Sequence, residues 1–151
     1  MLMVCDVSIL LSATSAVAGE GTRMPGLGGV IHAAGVDMYD PIHAVTTDQV
    51  QTVMGPKLSG TQHLACETAH VPVEHFLVFS STSAVFGLKK GSIYAAANSC
   101  LDTFVQHQKA NGQPGLSLQW GAWSQIGMAA SLRSSGYIAG GVTNQIGRCA
   151  F

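Results

Sequence analysis

The sequence predicts an α/β domain in which helices cross over a parallel sheet. Short apolar runs rich in Val, Ile and Phe alternate with longer segments of helical period, and the connections between them are short. The 151 residues leave room for one domain around one core, and 47% of them are hydrophobic against 10% charged. Small apolar residues in that proportion suit a tightly packed interior.

Met1 to Val7 reads as a short strand ending at Asp6, and Ser8 to Val17 as a weak helix. A Gly/Pro-rich stretch, 19–29, leads into a short strand over Gly29 to His32, which stops at Ala33-Ala34-Gly35. Thr46 offers a helix N-cap, and Val50, Val53, Met54, Leu58, Thr61, Leu64 and Ala65 follow at helical spacing. Pro56 lies inside that helix and should distort it, because proline lacks an N–H and crowds the preceding turn. Val73 to Ser80 reads as a buried strand, and 81–91 as a loop. From Ser92 a helix carries Tyr94, Ala97, Leu101, Phe104 and Val105 on one face and stops at Asn111-Gly112. Leu116 to Trp120 is a last short strand, followed by Gly121-Ala122-Trp123, and after Ala130 the pattern fades.

In open parallel sheets ligands bind beyond the carboxyl ends of the strands. Those ends are Asp6, His32 to Gly35, Ser80 to Ser83 and Trp120 to Trp123, so the chemistry should lie there.

Several function classes drop out. A net charge of −1 and the lack of a basic stripe argue against nucleic acid. Cys5, Cys66, Cys100 and Cys149 are far apart and form no zinc-spaced cluster, as expected of reduced thiols in a cytoplasmic protein. Ala16-Val17-Ala18-Gly19 imitates a signal-peptidase site, but no Lys or Arg precedes the apolar run and Asp6 interrupts it. No apolar stretch reaches the ~20 residues of a membrane span.

Four residues stand out together. Ser81 precedes Tyr94 by thirteen residues, Asn98 follows Tyr94 by four, and Lys57 lies 37 residues before Tyr94 on the preceding helix. Singly each has an ordinary reading: a loop serine, a packed tyrosine, a solvated asparagine, a surface lysine.

In context the set resembles a known family. Phe79-Ser80-Ser81, Tyr94-Ala95-Ala96-Ala97-Asn98 and Gln119-Trp120-Gly121-Ala122-Trp123 are similar to segments of the ketoreductase domains of polyketide and fatty-acid synthases. So are Val30-Ile31-His32-Ala33-Ala34-Gly35-Val36 and Pro56-Lys57-Leu58-Ser59-Gly60. These domains are a branch of the short-chain dehydrogenase/reductases in which asparagine follows the tyrosine by four and the lysine arrives from the preceding helix. The resemblance is dense over 25–130 and looser around Cys5-Asp6-Val7; residues 131–151 are poorly defined by it.

The resemblance implies a Rossmann-like fold and NADPH-dependent reduction of a β-ketoacyl thioester held on an acyl carrier protein. It also implies other synthase domains as partners. Tyr94 would be the general acid, and Lys57 would lower its pKa and hold the nicotinamide ribose. Ser81 would donate to the developing oxyanion, and Asn98 would order the water and lysine that replace the proton. A phenol titrating near 10 needs such help to act at neutral pH, and a cation within ~4 Å supplies two or three pKa units. Asp6 would accept from the adenine amine, His32, Ala33, Ala34 and Gly35 would run beside the adenosine ribose, and Gly121 and Met128 would border the nicotinamide.

Two departures temper the activity. No Gly-rich phosphate-binding turn precedes Asp6, and Gly26-Leu27-Gly28-Gly29 stands before a strand instead of after one. The expectation is therefore the C-terminal catalytic portion of a ketoreductase domain without its N-terminal cofactor-binding region. Its alternative is a non-catalytic remnant unable to bind cofactor alone. Neither stereochemical marker of the family is present: Asp37-Met38-Tyr39-Asp40 replaces the Leu-Asp-Asp signature, and Phe86 stands eight residues before Tyr94 in place of Trp.

Overall fold

The computed structural model describes residues 4–18 and 26–122. The chain divides into two compact units, Met1–Gln119 and Trp120–Phe151. The first holds the sheet and helices that follow; of the second, only 120–122 are among the described residues.

Helix α1 (Leu10–Ala18) comes first. Strand β1 (Gly29–His32) pairs in parallel with β2 (His75–Ser81), Gly29 opposite His75 and His32 opposite Val78. Strand β3 (Leu116–Trp120) completes a three-stranded sheet in the order β1-β2-β3. Between β1 and β2 run α2 (Thr47–Met54) and α3 (Gly60–Thr68), joined end to end through a π-helical turn, Gly55–Ser59. A short helix, α4 (Ser83–Phe86), follows β2, and then the long α5 (Ser92–Ala110).

Thr46 starts α2 with a reciprocal capping box: its hydroxyl accepts from the Gln49 N–H, and the Gln49 side chain accepts from the Thr46 N–H. Gly112 supplies the positive φ, 74°, in the turn that closes α5.

The π turn has a local cause. Pro56 offers no N–H to the Thr52 carbonyl and crowds it, so the helix widens instead of breaking. The Gly60 N–H, which in α geometry would bond to the Pro56 carbonyl, bonds instead to the carbonyls of Gly55 and Lys57. Gly60 also packs against α1's approach, since a Cβ there would meet the Val7 side chain at 2.8 Å.

Strand parity decides what faces the helices. Along β2, Phe76, Val78 and Ser80 are buried, and their in-register partners Val30 and His32 share that face. Phe76 and Val78 pack with Leu101 and Val105 of α5, flanked by Leu64, Ala65 and Phe104. A second cluster, Val53, Ile93 and Ala97, locks α2 to the start of α5, with Tyr94 at its border. On the opposite face Ile31 is 68% exposed.

Two expectations need correction. Among the described residues 4–6 form no strand, because Asp6 turns the chain: its carboxylate accepts from the N–H and hydroxyl of Ser8, and its carbonyl accepts from the Ile9 N–H. The 81–91 segment is not all loop, since α4 forms within it.

Candidate active site

The inward stripe of the α2–α3 rod reads Val53, Lys57, Thr61, and Lys57 is as buried as its neighbours, with 3% of its surface exposed. Its ammonium donates to the Phe79 carbonyl at 3.0 Å and sits 5.6 Å from the centre of the Tyr94 ring. Burial pushes its pKa down to about 8, partly offset by the carboxylate of Asp102. Gly35 lies against the lysine stem: a Cβ there would come within 2.9 Å of Cε.

Tyr94 and Asn98 lie one turn apart on the face of α5 that continues as Leu101 and Val105. Asn98 is fully buried. Its amide donates to the Tyr94 backbone carbonyl at 2.8 Å, and its backbone carbonyl accepts from the Ser80 hydroxyl at 3.2 Å. Its side-chain oxygen has no partner. A buried acceptor left unpaired costs about 1–3 kcal/mol, so it marks a place where a water or a cation belongs. Ser81 ends β2, and its hydroxyl accepts from the Ser83 N–H at 3.1 Å.

The phenol of Tyr94 titrates above its ordinary value. Burial is the main cause; the side chains of Asn98 and Ser81 pull in the opposite direction, and Asp37 adds to the rise. The ammonium stands over the ring, and desolvation outweighs what the site's dipoles contribute, so the net shift of the phenol is upward. It is the lysine whose pKa falls.

Lys57, Ser81, Tyr94 and Asn98 are thus brought together at the carboxyl end of β2. Sequence reasoning missed the groups around them. Tyr39 donates to the Asp37 carboxylate at 2.8 Å, and burial together with that carboxylate pushes its phenol far up. Asp102 accepts from Ser117 at 2.5 Å and Gln119 at 2.7 Å, tying α5 to β3. An acidic residue two turns beyond Tyr94 on the same helix was the available signal for the second.

The proposed cofactor residues separate. Ala33 and Ala34 are exposed beyond β1 and Gly35 is half-exposed, so the turn itself is open to a ligand. His32 is 3% exposed, and its imidazole points into the helix layer, Nε2 3.0 Å from the Pro56 carbonyl. Its pKa is lowered by burial and by the charge of Lys57, against the pull of its backbone partners. Asp6 is exposed, its carboxylate held below its ordinary pKa by Ser8. Gly121 directly follows β3, and Met128 lies outside the described residues. Among the described residues no His, Cys, Asp or Glu cluster could hold a metal ion.

The family model for the KR domain matches residues 1–125. The chain belongs to the KR domain family. It is 40% identical over 108 residues to the hybrid PKS-NRPS synthetase pyvA of Aspergillus violaceofuscus, covering 72% of this chain and 3% of that protein. It is 39% identical over 129 residues to the polyketide synthase GfsB of Streptomyces halstedii, covering 85% of this chain and 2% of that one. An A1-type ketoreductase of known structure superposes with a TM-score of 0.81 at 32% identity, over 89% of this chain and 28% of that one. The chain therefore spans only a few per cent of these curated synthases and less than a third of the solved domain. The KR family lies within the short-chain dehydrogenase/reductases, and the parallel sheet with its helices is their Rossmann-like fold. Among the described residues no helix is long and apolar enough to cross a membrane.

Proposed function

We propose that this chain carries the catalytic side of an NADPH-dependent β-ketoacyl reductase acting on an acyl thioester borne by a carrier protein. The observation that carries the reading is the buried Lys57 ammonium over the Tyr94 ring, with Asn98 and Ser81 acting on the same phenol. A buried cation is costly to keep, and a site that uses it is a reason for keeping it.

The nicotinamide, when bound, supplies the hydride. Ala33, Ala34, Gly35 and Gly121 are the residues that would border the cofactor; the small side chains at the open turn after β1 fit a ligand that must approach the backbone. Asp6 and Met128 would complete the set.

This chain's own residues handle the oxygen and the proton. The Ser81 hydroxyl donates to the carbonyl oxygen as negative charge develops on it. The Tyr94 phenol, kept protonated by its raised pKa, gives up its proton to that oxygen. Lys57 stabilises the phenolate that remains, which a cation close to the ring can do strongly where water is excluded. The unpaired Asn98 oxygen holds the water through which the phenolate is reprotonated.

The test is turnover of a β-ketoacyl thioester with NADPH by a protein containing this chain, followed by loss of the reduced nicotinamide signal. Tyr94→Phe should cut kcat by about 10²–10⁴ while leaving the fold intact. Undiminished turnover in that variant would show that another group gives the proton.

A further inference from the structure

We propose that the turn from His32 to Gly35 is a cradle that positions Lys57, with His32 holding its backbone and Gly35 making room for its side chain. His32 is then a positioning residue. The consequence for turnover rests on the function proposed above; the cradle itself does not.

Three observations converge. Parity along β1 sends His32, like Val30, into the helix layer, so its imidazole cannot be a surface ligand. There Nε2 lies 3.0 Å from the Pro56 carbonyl, the acceptor that the π turn deprives of its α-helical partner, the Gly60 N–H. A carbonyl only accepts, so Nε2 carries the proton, and burial disfavours a second proton on Nδ1. That bond supports the widened turn one residue before Lys57. Three residues further along, Gly35 meets the other end of the same lysine: its missing Cβ would stand 2.9 Å from Cε and 3.4 Å from Nζ. Both ends of Lys57 are thus fixed from one turn, which aims the ammonium at the Phe79 carbonyl and the Tyr94 ring.

Physical consequences follow for neighbours as well. The titratable groups that act with Lys57 are Tyr94 beneath it, Asp102 across the site and His32 itself, and none replaces the Pro56 bond. Without the His32 donor the Pro56 carbonyl loses this partner and the widened turn is held less firmly, which lets Lys57 move away from the ring.

The experiment uses the full protein containing this chain, with ¹³C-labelled lysine and ¹⁵N-labelled histidine. In the unaltered protein the His32 ring should show a neutral Nε2–H signal that exchanges slowly with solvent. His32→Phe keeps the ring shape and loses the donor; His32→Gln keeps an amide donor at similar reach. His32→Phe should move the Lys57 titration back toward that of an ordinary lysine, and His32→Gln should restore most of its depression. In turnover, His32→Phe should lower kcat by about 10–100-fold, the scale for misplacing a catalytic group by an ångström, with little change in KM for NADPH. Where His32→Phe fails to fold, Gly35→Ala serves instead, since its Cβ must push Cε and shift the same lysine signal. An unchanged Lys57 titration in these variants would overturn the proposal. A rise in KM for NADPH with kcat intact would overturn it too, assigning His32 to the cofactor. If the unaltered protein turns over no β-ketoacyl thioester, the functional reading fails, while the lysine titration still decides the cradle.

Discussion

The two halves of the surface between β2 and α5 are built from the same elements at the same spacing, yet they do different work. In one half Phe76, Val78, Leu101 and Val105 close on each other and leave almost nothing to solvent. In the other, one strand step and one helical turn away, the corresponding places hold Ser80, Asn98 and Tyr94, with Lys57 reaching in from the π turn. Burial is as complete for Lys57 and Asn98 as for the leucine and valines. The apolar half gains from burial what the polar half loses, because apolar area removed from water stabilises while an unpaired amide oxygen and a desolvated ammonium do the reverse. Stability and chemistry are thus segregated along one packed face.

The strongest way to break that division is Leu101→Ala. Leu101 is 1% exposed in the apolar half, and its truncation should cost about 2–5 kcal/mol in denaturant unfolding. Turnover by the molecules that remain folded should be nearly unchanged. A collapse of kcat in the folded fraction would mean that the two halves are one unit.

Lys57→Met sharpens the comparison from the other side. A lysine held at about 8 in place of 10.5 costs the folded state about 3 kcal/mol, and its removal also loses its hydrogen bond to the Phe79 carbonyl, worth about 1–2 kcal/mol. The variant should be inactive and more stable by about 1–2 kcal/mol. The difference has a pH signature. Below about 8 the lysine is charged in both states, and its cost is fully present. Between there and 10.5 the folded chain releases the proton while the unfolded chain keeps it, so stability rises with pH. The gap between the two proteins should close across that window; a gap independent of pH would show that packing, not charge, separates them.

The smallest expected effect is on the pH profile of turnover. Once Lys57 loses its proton it no longer supports the phenolate of Tyr94, so kcat should fall as pH rises through about 8. In Lys57→Arg, whatever activity survives should lack that limb, because a guanidinium does not deprotonate there. An alkaline limb that stays in place in the arginine variant would belong to another group.

These contrasts also show what a sequence makes legible. Strands Gly29–His32 and Leu116–Trp120, the Thr46 cap and the Asn111-Gly112 stop follow from local chemistry, and the structure has each of them. Pro56 announced a distortion, though not its form, since whether a helix kinks, breaks or widens depends on what receives the freed carbonyls. The offsets among Lys57, Ser81, Tyr94 and Asn98 brought those four to one place. The side chain of His32 was within reach of the same reasoning: two residues after Val30 on one strand, it had to share the buried face. Motif context drew attention to the turn instead of the parity. The Met1–Val7 strand misled because Asp6 and Ser8 satisfy one another locally, an alternative that an apolar pattern does not register. The direction of the Tyr94 shift was out of reach, since it depends on how deeply the ring is buried.

The extra residue in the Gly55–Ser59 turn bears on which changes of length this segment can tolerate. A π turn contains one residue more than the α turn it interrupts. Deleting any one of the five would let the helix run straight from Thr47 to Thr68, at no cost in propensity if the deleted residue were Pro56. The flanking segments would keep their phase, because the π turn already absorbs the extra residue: Val53 and Thr61 would then stand seven residues apart, close to two α-helical turns. Both are inward now and would stay inward together. A homologous gene that had lost a codon here could therefore keep its helix interface on both sides, whereas a substitution of Lys57 within the same segment would remove the buried ammonium. A single-residue change of length should therefore be better tolerated in this turn than in the α-helical segments on either side of it.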